Sequence, residues 1–278
     1  MKTYTFPLIF LLFSCASNFQ ENTQTTEEIK FHELLGSEGY GKYYKDSDVE
    51  ILLEATIGDL RIRHVRMKDE TCVNQGEEDF KTDPGYRHHI ELDGVIGPDS
   101  TRALEKLLDN FPNCFPSEDN PHVTKNMFPA VYLNSSGGFV QDGIRMGTLF
   151  NENYMSTIIG SGQSCSSSCA LAFLGGNVRL MWGDSKILFH APYTIDEDRY
   201  FTCLNPTETE DIKKYFKKML PEKDAEFFYK RMMDYCSTSE GWTLNKDGAK
   251  LLGLTLDIGE WYSREMDGSG RGLYNPDE

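Results

Sequence analysis

The sequence predicts an α/β fold in which helices pack on a parallel β-sheet, with a small N-terminal appendage ahead of it. Two observations carry this reading. Beyond about residue 88, short apolar or alternating runs of strand length take turns with segments of helical spacing, the order produced by a sheet with crossover helices. Before that point the chain opens on an export-like segment and a polar stretch with too few apolar residues to build a core.

Residues 1–15 place Lys2 ahead of an apolar run from Phe6 to Phe13, followed by Ser14 and Cys15. The run is shorter than the roughly 20 residues a membrane-spanning helix needs, so it reads as an export signal. Leu12, Phe13, Ser14 and Cys15 resemble a bacterial lipobox, where the cysteine is acylated and becomes the new N-terminus; the alternative is ordinary cleavage near Cys15 without a lipid. Ala16 after the cysteine resembles an outer-membrane sorting pattern. The expected product is a periplasmic protein held to the outer membrane by its lipid. Residues 16–30 read as a polar tether, and residues 31–87 as an appendage to which the sequence assigns no role. Within the appendage, residues 49–57 suit a short helix or strand, residues 60–66 alternate apolar with basic as a half-buried strand does, and residues 76–85 form a loop.

The main domain, residues 88–258, begins with an alternating strand over 89–96, a Gly97-Pro98 stop, and a helix around 103–108. A Pro-rich loop over 111–129 leads to a buried strand at 130–133, a turn at 134–138 and a helix from about 140 to 150. A short strand at 157–159, a very apolar helix at 170–174 and a strand at 187–189 follow. Residues 211–233 read as one long amphipathic helix and 247–252 as a short one, leaving 259–278 as a tail.

The net charge of −16 with scattered Lys and Arg argues against binding nucleic acid through its phosphates. Setting Cys15 aside leaves Cys72, Cys114, Cys165, Cys169, Cys203 and Cys236, an even number that favours disulfides in an exported chain. The expected pairs are Cys72 with Cys114 and Cys203 with Cys236. For Cys165 and Cys169, a helix would bring the backbones within range without forcing the side chains to converge. The spacing of these cysteines fits no zinc site. The adjacent His88 and His89 would point to opposite faces of a strand, which makes them surface residues rather than a metal pair, and no metal or other cofactor is expected.

Four pieces carry chemistry: a strand ending in Asn134-Ser135-Ser136-Gly137-Gly138, the serine-rich run 162–170 in which Cys165 and Cys169 bracket Ser167, the apolar helix after it, and His190 at a strand end before Ala191-Pro192. In this order they resemble the Clp protease proteolytic subunit and its exported, ATP-independent relatives in the Clp protease/crotonase-like superfamily. The resemblance covers residues 88–258. It implies a serine peptidase with Ser167, midway between the two cysteines, as nucleophile and His190 as base. It further implies that Gly138 and Ser168 donate the oxyanion-hole N–H groups and that Gly137 supports the turn. Ser136 departs from the family, which has proline there.

The chemistry makes sense without the family. A serine hydroxyl needs a base near neutral pH, which imidazole supplies. A helix start aims free N–H groups at the developing oxyanion. The competing readings are a serine cluster that merely caps a helix and a nucleophilic Cys165 or Cys169. The family's third residue, an aspartate, falls on Gly241; neighbouring Glu240 is the candidate after a small shift, and a Ser-His dyad is the alternative. A crotonase-type enzyme would need coenzyme A, which is not expected outside the cytoplasm. A catalytically silent binding protein on the same fold is the remaining rival. The expected partners are a peptide or protein substrate, the membrane through the lipid, and, by resemblance, further copies of the chain.

Overall fold

The computed structural model describes residues 30–32, 49–67, 88–109 and 130–256. The lipobox with Cys15, the tether up to residue 29, the pair Cys72 and Cys114, and the tail 259–278 lie outside them. Among the described residues no helix is long and apolar enough to cross a membrane.

The chain forms a mixed α/β structure around one large sheet. Its strands are β1 (Lys30–His32), β2 (Val49–Ile57), β3 (Leu60–Met67), β4 (His88–Ile96), β5 (Ala130–Gly138), β6 (Thr157–Ile159), β7 (Ser164–Ser166), β8 (Arg179–Met181), β9 (Lys186–Phe189) and β12 (Trp242–Asn245). The pairings made by β5 with β4, β6 and β7 are all parallel, as are β6 with β8 and β7 with β9. Both flanks are antiparallel, where the sequence predicted a parallel sheet. The reason is local at one end: β2 and β3 are joined by the tight turn at Gly58-Asp59, too short to carry a parallel crossover. At the other end β12 returns beside β9 after two helices. The sheet also runs across the expected domain boundary at residue 87, because β3 pairs with β4.

β5 is the branch point. Val131 and Tyr132 pair with β6, while Ser135, further along the same edge, pairs with Cys165 of β7. Two short strands thus share one edge of β5, and the sheet divides into a β6–β8 arm and a β7–β9–β12 arm. The loop between them is fastened by Asp184, which accepts from Ser161 Oγ at 2.9 Å and Gly162 N at 2.6 Å. These bonds hold its carboxyl below the usual carboxylate range.

Helices α1 (Ser100–Asp109), α2 (Val140–Glu152) and α3 (Ser168–Leu174) pack on this sheet. The α3 residues are all buried, and Phe173, Leu171 and Ala170 share one core with Val131, Leu133, Met146, Ile187 and Phe216. The predicted long helix over 211–233 is two, α4 (Glu210–Met219) and α5 (Glu222–Met233). Pro221 breaks it: Leu220 adopts extended backbone with φ −134°, as the residue before a proline prefers, and proline offers no N–H to continue the ladder. A short helix α6 (Lys246–Leu251) closes the described chain, and β10 (Tyr193–Ile195) with β11 (Phe201–Cys203) forms a separate hairpin. His89, expected at the surface, is fully buried, 3.5 Å from Glu91 and edge-on to Tyr132.

Arg179 joins three elements. Its guanidinium donates to Leu254 O, Leu174 O and Met219 O at 2.8, 3.0 and 3.3 Å, which serves the carbonyl ends of α3 and α4 together. Burial lowers its pKa to about 10, which still leaves it charged at neutral pH. Arg179→Met strips all three carbonyls of their donor and is expected to lower the unfolding free energy by about 2–4 kcal/mol. Urea denaturation at pH 7 should show this as a lower midpoint with an unchanged slope.

Candidate active site

Ser167 sits at the junction of β7 and α3. Its backbone has φ 57° and ψ −122°, a region that residues with a Cβ rarely occupy. Ser167 N donates to Leu188 O of β9 at 2.8 Å, and Ser167 O accepts from Leu171 N at 3.2 Å. The Ser167 side chain makes no capping hydrogen bond, so the cluster's central hydroxyl does not do the work of a helix cap. The neighbouring Ser168 is fully buried at the first turn of α3.

β7 and β9 run parallel with Ser166 opposite Leu188, so Ser167 and His190 emerge at the ends of adjacent strands although roughly two dozen residues separate them in sequence. They line one open cleft together with Val140, Leu171, Phe189, Ile212 and Met232. The His190 ring makes its hydrogen bond through Nδ1 with Ala191 O, at 2.8 Å, and not with Ser167. A carbonyl can only accept, so Nδ1 carries the hydrogen and Nε2 is left with a free lone pair. Tyr193 stacks on the ring, with centroids 5.6 Å apart and planes 24° apart.

The last two residues of β5, Gly137 and Gly138, which the sequence read as part of a turn but which pair with Val95 and Ile96 of β4, close the other side. A Cβ on Gly137 would lie 2.5 Å from Ser166 O, 2.6 Å from Ser167 Cβ and 3.1 Å from Ser168 N, and its φ is +96°. Only glycine fits so close to the Ser167 backbone. Gly138 follows, exposed, with φ +138° and with Ile96 O on its flank. Ser136, in the family's proline position, is exposed, and Ser135 Oγ accepts from Gly137 N at 3.0 Å.

Glu240 is not joined to this group. Its side chain is exposed, and its own N–H donates to Ser237 Oγ at 3.0 Å. β12 runs antiparallel to β9 with Trp242 opposite Phe189, which puts Gly241 across from His190 and Glu240 one step further out. Any side chain at 241 would collide with Leu188 Cδ2 at 2.5 Å and Phe189 O at 2.7 Å. The place facing the histidine therefore has no room for a carboxylate.

The cysteines lie as follows. Cys165 is bonded to Cys169, and Cys203 to Cys236. The first pair is not helical, since Cys165 belongs to β7 and only Cys169 to α3; the turn at Ser167 folds one back on the other. Both thiols being bonded, neither serves as a nucleophile in this form. Sequence reasoning missed Ala191 O, Tyr193, Ile212 and Met232. The last two lie in the stretch 211–233 that the sequence read as amphipathic, but no local signal says that they reach the cleft.

No protein-family model matches the chain. No curated protein matches it. Among solved structures it is similar to the 1510-N membrane-bound stomatin-specific protease in a lysine-to-alanine mutant complexed with a substrate peptide, at 16% identity and a TM-score of 0.44, over 62% of this chain and 76% of that one. A serine-to-alanine mutant of the same protease is similar at 15% identity and a TM-score of 0.43, over 63% of this chain and 81% of that one.

Gly137→Ala tests the close approach directly. The added methyl is expected to lower stability by about 1–3 kcal/mol in thermal denaturation, whereas Ser136→Ala, one residue away and exposed, should stay within about 0.5 kcal/mol of wild type.

Proposed function

We propose that this chain is a serine hydrolase of the peptidase type on a Clp protease/crotonase-like fold, acting through an acyl-enzyme formed on Ser167. One observation carries the reading: Ser167, uncapped and on a strained turn, and His190, with one ring nitrogen free, line the same cleft. In the reaction, Ser167 Oγ attacks a carbonyl carbon while His190 Nε2 takes the hydroxyl proton. The carbonyl oxygen becomes the oxyanion, for which the N–H groups of Gly138 and Ser168 are the donors. His190 then returns the proton to the leaving amine, and water, activated by the same nitrogen, releases the acyl group. Apo sites often leave the nucleophile–base bond unmade until substrate binds.

The site works as a dyad in this proposal. Ala191 O takes over the orienting half of a third residue's task by fixing the Nδ1 hydrogen, but as a neutral acceptor it does less than a carboxylate to stabilise the imidazolium. We place the protein in the periplasm, tethered through a lipid on Cys15. The rival reading, a binding protein on the same fold, is favoured by the missing carboxylate at Gly241.

A fluorophosphonate probe separates the two. Wild type should label on Ser167; Ser167→Ala should not label while remaining folded by circular dichroism; and His190→Ala should label about 10²–10⁴-fold more slowly at the same site. Glu240→Gln should label at the wild-type rate, since its side chain is exposed and makes no contact with His190. Folded, oxidised wild type that never labels would establish the binding protein instead. For the anchor, Cys15→Ser should move the protein from the membrane fraction to the soluble one.

A further inference from the structure

Three features of the nucleophile's turn belong together. Ser167 holds a backbone conformation costly for any residue but glycine, with φ 57° and ψ −122°. The disulfide between Cys165 and Cys169 spans that one turn, from β7 on its near side to α3 on its far side, with Cα atoms 5.2 Å apart. Both sulfur-bearing residues are fully buried, unlike Cys236 of the second disulfide, which is exposed.

A bond across so short a loop removes little entropy from the unfolded chain, because that term grows with loop length. Its effect falls on the folded state. It ties the end of a strand to the first turn of a helix across the residue where the chain reverses. Cys165 is fixed by its pairings with Ser135 and Ile187, and Cys169 by an α3 with no exposed residue. The bond thus joins two rigid bodies and leaves Ser167 little freedom to relax toward negative φ. With the bond open, the remaining local restraints are the hydrogen bonds of Ser167 N and O and the approach of Gly137.

Building on the hydrolase reading above, we propose that oxidation of Cys165 and Cys169 switches Ser167 on: the disulfide is a positioning device without which the hydroxyl is misaimed and the chain is inert. In the forward step the two thiols lose two protons and two electrons to a disulfide oxidant, the S–S bond forms, and the oxidant leaves as a dithiol. A chain made in a reducing compartment would remain inactive until it reached an oxidising one.

The test equilibrates the full chain with glutathione buffers from oxidising to reducing. Thiol state is read at each cysteine by alkylation and mass spectrometry, and fluorophosphonate labelling is read as separate rate and affinity constants. Labelling should fall about tenfold or more as Cys165–Cys169 opens, in the rate constant rather than the affinity, and recover on reoxidation. The Cys165→Ala/Cys169→Ala variant should label at the low rate at every potential, with unchanged far-ultraviolet circular dichroism. Hydrogen exchange over residues 164–172 supplies a readout that needs no activity: exchange should speed up on reduction and in the variant. Wild-type labelling in the variant, labelling that follows Cys203–Cys236 instead, a Cys165–Cys169 bond that never opens across the series, or unchanged exchange would each overturn the proposal. Absence of labelling in the oxidised wild type is a different result; it removes the hydrolase reading, while exchange still decides whether the disulfide holds the turn.

Discussion

The backbone hydrogen bond from Ser167 N to Leu188 O couples the two halves of the site. It continues the parallel pairing of β7 with β9 by one residue, past the point where β7 has ended and the chain is already turning into α3. Because that bond holds the turn against β9, Ser167 lies beside the end of the strand that delivers His190. The arrangement requires β7 to be short. Had it run on as regular strand, residue 167 would have extended backbone, and its hydroxyl would follow the alternation of the sheet rather than face the cleft. The division of β5's edge between β6 and β7 permits this, since a three-residue strand needs only one pairing with β5 to be placed.

His190 is held by different means. The Nδ1 position is satisfied within the next residue, by Ala191 O, and one ring face is covered by Tyr193. Ala191 is itself fixed, because its N–H donates to Tyr235 O just beyond α5. The adjacent Cys236 is bonded to Cys203, which pairs across the hairpin with Tyr193. The histidine's orientation therefore depends on main-chain contacts and stacking rather than on a buried charge. A buried carboxylate must be desolvated and fully hydrogen-bonded to be tolerated. Beside His190 the closely packed Leu188 and Phe189 O already take the space that one would need.

Much of this was legible in the sequence, for stated physical reasons. The apolar runs at 130–133, 157–159 and 187–189 mark strands because they are short, strongly apolar and bounded by turn residues. Gly137-Gly138 marks unusual backbone, since both take positive φ, although these residues end β5 instead of forming the expected turn. Other features were not legible. β7 is too polar and β12, with only Trp242 and Leu244 in alternation, too short to stand out, and they exist because their backbones find partners in β5 and β9. The break at Pro221 was local and readable, yet apolar residues recur at helical spacing on both sides of it and masked it. The choice between Glu240 and a dyad could not be made from spacing, because it depends on cross-strand register: a one-residue shift decides whether Gly241 or Glu240 faces His190.

Register also explains why the strands before residue 88 matter to the site. Arg61 of β3 lies opposite Asp93 of β4, which lies opposite Asn134 of β5. Their side chains follow the same line: Arg61 donates to Asp93 Oδ2 at 3.0 Å, and Asn134 Nδ2 to Asp93 Oδ1 at 2.6 Å. Asn134 Oδ1 then accepts from Ser164 N at 3.4 Å, at the first residue of β7. Ser164 N is otherwise an edge amide at a place where β5 offers no backbone partner, since the single β5–β7 pairing is Ser135 with Cys165. One amide side chain thus completes the junction of β7 with β5, and its own orientation is set by a carboxylate and an arginine from the two strands before it. The hairpin ahead of residue 88 is in this sense continuous with the Ser167 turn, through a row of polar side chains laid across one face of the sheet.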